Sequence, residues 1–202
     1  RSAGVASEFL FRDYGAYDAA VERWIGGEPI YQRTEDGGFH GSYLYPPVVL
    51  FLFWPVATHL EFRTAAMVWM VVSVALLWVG LQVLVRALGY DLRWYERAGL
   101  LWLMAGFHPL LLGVKLGQTA AFQTGLLCLA GAATVTDRRS AWRGRASGVL
   151  TGLVGVVKPA YAPVGAHLLC SPRRLGAAVV TGLVALWVSI RGFGVETHLT
   201  YV

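Results

Sequence analysis

Few side chains in this 202-residue chain have the types and settings that chemistry needs, and those few stand at interruptions of an apolar sequence. Asp13 lies between Phe11 and the pair Tyr14 and Tyr17. A carboxylate in that setting can act as general base on a hydroxyl. Asp18 is the neighbouring candidate. Five residues further along a helix it points about 140° away from Asp13, and its plainer role is a charge on a helix surface. Lys115 and Lys158 are the only lysines. An ammonium is a good point-charge partner for phosphate, and ionisable groups at membrane depth are costly enough to suggest function. Snorkelling to the interface is the plainer reading, and it fits Lys115 nearly as well. His108, followed by Pro109 in an apolar run, reads either as a satisfied core histidine or as a hydrogen-bond partner for phosphate or sugar. Gln118 reads either as an inter-helix hydrogen bond or as a ligand contact.

Several other chemistries lack their residues. His40, His59, His108, His167 and His198 show no metal-ligand spacing, and two cysteines make neither a disulfide scaffold nor a four-ligand zinc site. No phosphate-binding glycine loop and no nucleophile-elbow motif is present. No metal and no cofactor is therefore expected.

The elements that must position these residues follow from composition. Hydrophobic residues make up 56% of the chain and charged ones 14%, with a mean hydropathy of +0.53. Soluble domains carry about 45–50% apolar and about 25% charged residues, so this balance excludes a soluble domain. It equally excludes disorder. The expected architecture is all-α: a polytopic bundle of transmembrane helices, some short or broken, with a polar N-terminal segment outside the membrane. Residues 1–45 read as an external loop in which 14–25 forms an amphipathic interfacial helix, ended by Gly26 and Gly27 and blocked by Pro29. Acidic Asp13, Asp18, Glu22, Glu28, Glu35 and Asp36 all fall in this stretch. Residues 46–60, interrupted by Pro55, are too short to span and read as re-entrant or interfacial. Residues 61–202 read as the transmembrane region, part of one larger membrane domain. Within it 64–85 is the clearest span. Segments 98–114 (broken at His108-Pro109), 119–136, 146–157, 159–171 and 175–190 are shorter. Non-helical backbone at membrane depth survives only where protein buries it or water reaches it. The breaks at 108–109, 115–118 and 158–159 therefore suggest a wet cavity. Gly144, Gly148 and Gly152, spaced four apart, form a small-residue face for close helix contact.

Net charge is +5, with 17 basic and 12 acidic residues. The basic residues sit in short joints between apolar runs, which disfavours a nucleic-acid partner and favours membrane lipid. Arg86, Arg93 and Arg97, then Arg138, Arg139, Arg143 and Arg145, then Arg173 and Arg174 mark three Arg-rich joints. The positive-inside rule places them in the cytoplasm and the intervening joints outside. Asp13, the Tyr45-Pro46-Pro47 turn, Lys115, Gln118 and Lys158 then converge on the outer face. An exported N-terminal segment with no leader peptide implies a preceding span, so the sequence reads as a fragment, cut at both ends. The alternative of a single kinked span over 146–171 conflicts with the charge rule.

In order and spacing, Asp13-Tyr14, Tyr17-Asp18-Ala19-Ala20, Gly26 and Tyr31, Tyr45-Pro46-Pro47, His108-Pro109 with Gly117-Gln118, and Lys158-Pro159 before Arg173-Arg174 resemble glycosyltransferase family 87 over roughly residues 10–190. The family pattern has Asn-Pro where this chain has His108-Pro109. The resemblance implies a multi-span GT-C enzyme of the cell membrane, related to mannosyltransferases, with an active site on the non-cytoplasmic side. It implies an inverting transfer of sugar, with mannose expected, from a polyprenyl-phosphate-linked donor to a lipid or glycan acceptor. Asp13 matches the external-loop catalytic acid. Tyr17, Tyr45, His108, Lys115, Gln118 and Lys158 are the residues expected to bind substrate. A transporter or flippase, and a non-catalytic lipid-binding membrane protein, are the competing readings. Oligomeric state is not legible in the sequence.

Overall fold

The long apolar runs have no polar face to present to water, and in lipid each must satisfy its backbone within itself. They do so as helices. The computed structural model describes residues 10–31, 43–136 and 140–201. Glu35, Asp36, His40, Arg138 and Arg139 lie outside the described residues. Among the described residues the structure is helical throughout, with no strand.

Helix α1 runs Arg12–Ile25, two residues earlier than the apolar periodicity alone indicates. It buries Tyr14, Tyr17, Ala20 and Val21, a stripe at helical spacing. Gly26 and Gly27 end it, the latter at φ +74°. A 3-10 turn over Pro47–Val49 leads into α2, Leu50–His59, with Pro55 inside it. Ten residues rise only about 15 Å, half a bilayer core. Helix α3, Phe62–Ala87, is 26 residues long and apolar enough to cross a membrane. Helices α4, Trp94–Gly106, and α5, His108–Leu116, are together long and apolar enough to cross but are bent by 66° at Phe107, the geometry of a broken span or a re-entrant loop. The break falls where His108-Pro109 interrupts the apolar run: proline cannot continue the hydrogen-bond ladder but opens a new helix well. Helix α6, Ala120–Val135, and α7, Ala141–Val157, follow. A 3-10 helix, Pro159–Cys170, then leads to α8, Pro172–Tyr201, which breaks at Gly194 (φ +76°). Residues 172–200 are a second helix long and apolar enough to cross.

Directions can be read from the contacts. Trp69 meets Phe122 with ring centroids 5.2 Å apart, Gly80 lies against Gly125, and Gly131 lies against Leu84. Residue numbers rise together, so α3 and α6 run parallel. Helix α7 folds back on α6, where Thr134 and Ser147 hydroxyls are 2.6 Å apart. Gly148 abuts the Arg174 carbonyl and Gly152 abuts Ala178, so α7 and α8 are also parallel. The intervening 3-10 helix therefore travels back along α7, with Gly165 close to Thr151. The segment 146–171 is thus a folded-back pair, not a single kinked span. One end of the bundle gathers the loop around Arg93, the start of α7 and Arg173-Arg174. The other gathers α1, the α5–α6 joint, Lys158 and Gly192-Phe193 of α8.

The helix crossings depend on missing side chains. A Cβ on Gly80 would lie 2.5 Å from the Gly125 carbonyl oxygen, and one on Gly125 would lie 2.8 Å from Leu76 backbone. Without a hydrophobic driving force between helices in lipid, such close backbone contact supplies much of the association. Gly125→Ala is expected to lower the stability of the detergent-solubilised protein by about 1–3 kcal/mol. Gly99→Ala, where an added Cβ meets nothing within 4 Å, is expected to leave it unchanged or raise it by up to about 1 kcal/mol. Thermal melting of the two variants, side by side, checks the difference.

Candidate active site

The site is built around the N-terminus of α1 and the joint between α5 and α6. Phe11 enters α1 with φ +63°, a left-handed conformation uncommon for a bulky residue. Its N–H donates to the Lys115 carbonyl at 2.8 Å, which ties α1 to the last turn of α5. Gly117 ends α5 at φ +76°, and a Cβ there would lie 2.7 Å from Tyr14 Cβ. Only glycine meets both demands. The Gly117 carbonyl accepts from Trp69 Nε1 at 3.1 Å, which carries the anchor into α3. Asp13, half-buried in the first turn of α1, is held at this junction.

Beneath it lies an aromatic floor. Tyr17 stacks on Phe53 at 4.3 Å and meets Tyr43 and Tyr45 edge-on at 6.2 and 5.3 Å. Phe53 continues to Trp69 at 4.6 Å, and Tyr14 packs on Phe53 and Phe62 at 6.0 and 5.8 Å. Offset and edge-on pairs of this kind add to simple burial. The polar edges of the aromatics fix the loop before α2: Tyr31 Oη donates to the Tyr45 carbonyl and Tyr43 Oη to the Pro46 carbonyl, both at 2.8 Å. Thr119 Oγ1 shares a hydrogen bond with Tyr45 Oη at 3.1 Å.

Burial pushes the Tyr14 and Tyr17 phenols above their ordinary range. The Asp18 charge adds to the effect on Tyr14; Tyr45 and then Asp13 add to that on Tyr17. The two carboxylates also face different phenols: Asp13 acts on Tyr17, the stacked centre of the floor, and Asp18 on Tyr14. The i, i+4 spacing accounts for each pairing.

The expected site residues divide by position. Asp13, Tyr17 and Tyr45 come together, with the Lys115 backbone and Gln118 alongside. Tyr17 is 2% exposed and packs against the Tyr45 ring, so it supports Tyr45 from within the cluster. Gln118 is half-buried and its Oε1 folds back toward Gly113, to whose carbonyl its N–H donates at 2.9 Å. The Lys115 side chain is exposed in the last turn of α5. Lys158 is exposed where α7 gives way to the 3-10 helix, its Nζ 6.0 Å from the Tyr161 ring centre. Its neighbour Val157 belongs to the same buried cluster as Tyr14 and Tyr17, which puts Lys158 at this end of the bundle. His108 stands apart: it opens α5, seven residues and about 10 Å of helix from Lys115. Among the described residues, no three His, Cys, Asp or Glu side chains gather to hold a metal.

Sequence reasoning passed over Thr119, Gln123 and Trp69. All three are buried here. The available signal was a polar pair at i, i+4 near the start of an otherwise apolar segment. Trp69 carried none, since a tryptophan in an apolar span is ordinary.

The family model of glycosyltransferase family 87 matches residues 43–202, well over half of the chain. No curated protein and no solved structure matches the chain.

Gly117→Ala is expected to cost about 2 kcal/mol or more, since it combines a left-handed backbone with a clash against Tyr14. Gly155→Ala, in open space, serves as the tolerated control. The melting midpoints of the two variants test whether α1 is seated as described.

Proposed function

Since the chain belongs to glycosyltransferase family 87 and is a membrane glycosyltransferase, we propose that the face bearing Asp13 is its transfer site. The enzyme moves a sugar, mannose in this reading, from a polyprenyl-phosphate-linked donor to a hydroxyl of a lipid or glycan acceptor. What carries the reading is the seating of Asp13: a half-buried carboxylate fixed by the Phe11–Lys115 backbone bond, at the end of the bundle where both lysines emerge.

The chemistry follows a single displacement. Asp13 takes the proton of the acceptor hydroxyl. The acceptor oxygen attacks the anomeric carbon from the face opposite the phosphate, and the bond from that carbon to the phosphate oxygen breaks with inversion. The leaving group departs as a phosphate ester, already stable as an anion, so no general acid is required. Lys158 and Lys115 balance its charge, while the prenyl tail lies in lipid against exposed apolar side chains of the bundle. The site residues of this reading are Asp13 as base and Tyr17, Tyr45, His108, Lys115, Gln118 and Lys158 toward substrate. His108 is the outlying member by its position at the start of α5. The fold class that suits this chemistry is GT-C, and the transfer site faces the non-cytoplasmic side of the cell membrane, with the Arg-rich end of the bundle inside.

General-base catalysis contributes roughly 10²–10⁴-fold. Asp13→Asn, nearly isosteric, is expected to lower turnover by that factor with little change in donor KM. Asp18→Asn is expected to lose far less. Transfer from polyprenyl-phosphate mannose, measured in membranes with matched protein abundance, checks both; a larger loss at Asp18 would move the base to that residue.

The orientation has its own test. With Cys128 and Cys170 replaced, Ser140→Cys is expected to react with a membrane-impermeant thiol reagent only after the cytoplasmic side is opened. Labelling of intact cells at that position would invert the assignment.

A further inference from the structure

Two polar residues stand at the start of the apolar helix α6: Thr119, the residue before it, whose side chain makes no capping bond, and Gln123 one turn on. Thr119 is 1% exposed and Gln123 is fully buried. The Gln123 N–H donates to the Thr119 carbonyl at 2.9 Å, so the two side chains share one face, a single turn apart. Thr119 Oγ1 reaches Tyr45 Oη at 3.1 Å and Gln123 Oε1 at 3.3 Å. The other amide atom, Gln123 Nε2, is buried without a partner among the described residues. Burying an amide and a hydroxyl in an apolar helix is unfavourable unless they are bonded, and an unpaired amide nitrogen more so. Valine and leucine would fill the same space without that penalty. The polar pair therefore serves what it touches, which is the Tyr45 phenol.

Tyr45 is the half-buried member of the aromatic floor. Its backbone is held from the other side by Tyr31, and its ring meets Tyr17 edge-on. Tyr17 in turn is the phenol that the Asp13 charge reaches. A line of contacts thus runs from Gln123 through Thr119 and Tyr45 to Tyr17, which stands one helical turn after Asp13 in α1.

We propose that Thr119 and Gln123 are positioning residues of the transfer site, holding the Tyr45 phenol in one orientation so that it binds a hydroxyl of the sugar substrate. The proposal rests on the reading of the Asp13 face as that site. A phenol hydroxyl can lie on either side of its ring plane axis, and an oriented one presents its free donor or lone pair in one direction only. A threonine hydroxyl donates and accepts at once. With its one proton given to Gln123 Oε1, it accepts from Tyr45 Oη, so the bridge fixes the sense in which the phenol hydroxyl is turned. Valine has the same shape and can do neither.

The test is a cycle of Thr119→Val, Tyr45→Phe and the double variant, with Thr119→Ser as the conservative rescue and Thr119→Ala as a second way of removing the hydroxyl should valine impair accumulation. Transfer from polyprenyl-phosphate mannose is measured with donor and acceptor each varied. Thr119→Val and Tyr45→Phe are each expected to raise KM for one of the two substrates about tenfold, the worth of one hydrogen bond, with kcat within about twofold. Which KM moves tells whether the hydroxyl belongs to donor or acceptor. Thr119→Ser is expected to return within about threefold of the parent, and the double variant to match Tyr45→Phe alone. Additive losses, a serine variant as weak as valine, or a normal KM in a folded Thr119→Val would overturn the proposal. Donor binding followed by tryptophan fluorescence on the same proteins reads the coupling without turnover. Failure of the Asp13 assignment, seen as an active Asp13→Asn, is therefore distinguishable from failure at Thr119.

Discussion

Tyr14 of α1 occupies the space a side chain would take at Gly117, and the rest of the α1 end of the bundle follows from that close approach. The glycine turns the chain with a positive φ, brings its carbonyl to Trp69, and leaves the Lys115 carbonyl free for the Phe11 N–H. Three helices distant in sequence, α1, α3 and α5, meet at one residue. Asp13 is positioned only through that meeting. A carboxylate on an otherwise polar segment would be an ordinary surface charge; here it is half-buried and seated one residue from the contact, in the helix whose Tyr17 stacks on Phe53.

The lipid environment explains why the lower part of the bundle is organised differently from this end. Between α3 and α6, and between α7 and α8, helix backbones touch through glycine. The Thr134 hydroxyl bonds both back to its own helix, at the Ala130 carbonyl, and across to Ser147 of α7. Both devices suit a medium in which apolar contact between helices gains little over contact with lipid. At the α1 end the cement is aromatic and polar at once: Tyr31 and Tyr43 bury their rings and donate their hydroxyls to backbone, and the half-buried Tyr45 shares a hydrogen bond with Thr119. That combination fits a boundary where one side is wet.

Much of this was legible in the sequence because it depends on single residues or on local periodicity. An excess of apolar over charged residues requires membrane helices whatever their arrangement. Pro109 and Pro159 break helices through their own covalent geometry, and the breaks are found at Phe107 and Lys158. Gly148 and Gly152 signal close packing by having no side chain. The alternation of Arg-rich and Arg-poor joints anticipates the sorting of loops between the two ends of the bundle. The family membership was legible too, since it lies in the order of short motifs along the chain.

The pairings between those elements needed the tertiary structure. No local rule says that Gly117 meets Tyr14, or that Thr119 lies under Tyr45, 74 residues away. Such contacts depend on helix crossing angles, which the sum of many weak side-chain contacts sets. Separation was equally hidden: His108 and Lys115 both mark breaks in apolar sequence, yet α5 holds them at its opposite ends. The sequence determined by itself that this protein is a bundle of broken membrane helices with an acid near its start, because hydropathy, proline and glycine act within a few residues of where they stand. That the helix bearing this acid is anchored to the Lys115 carbonyl and Gly117, and that its Tyr17 stacks on Phe53, only the folded chain decided, because those depend on backbone approaches between helices that covalent neighbours do not control.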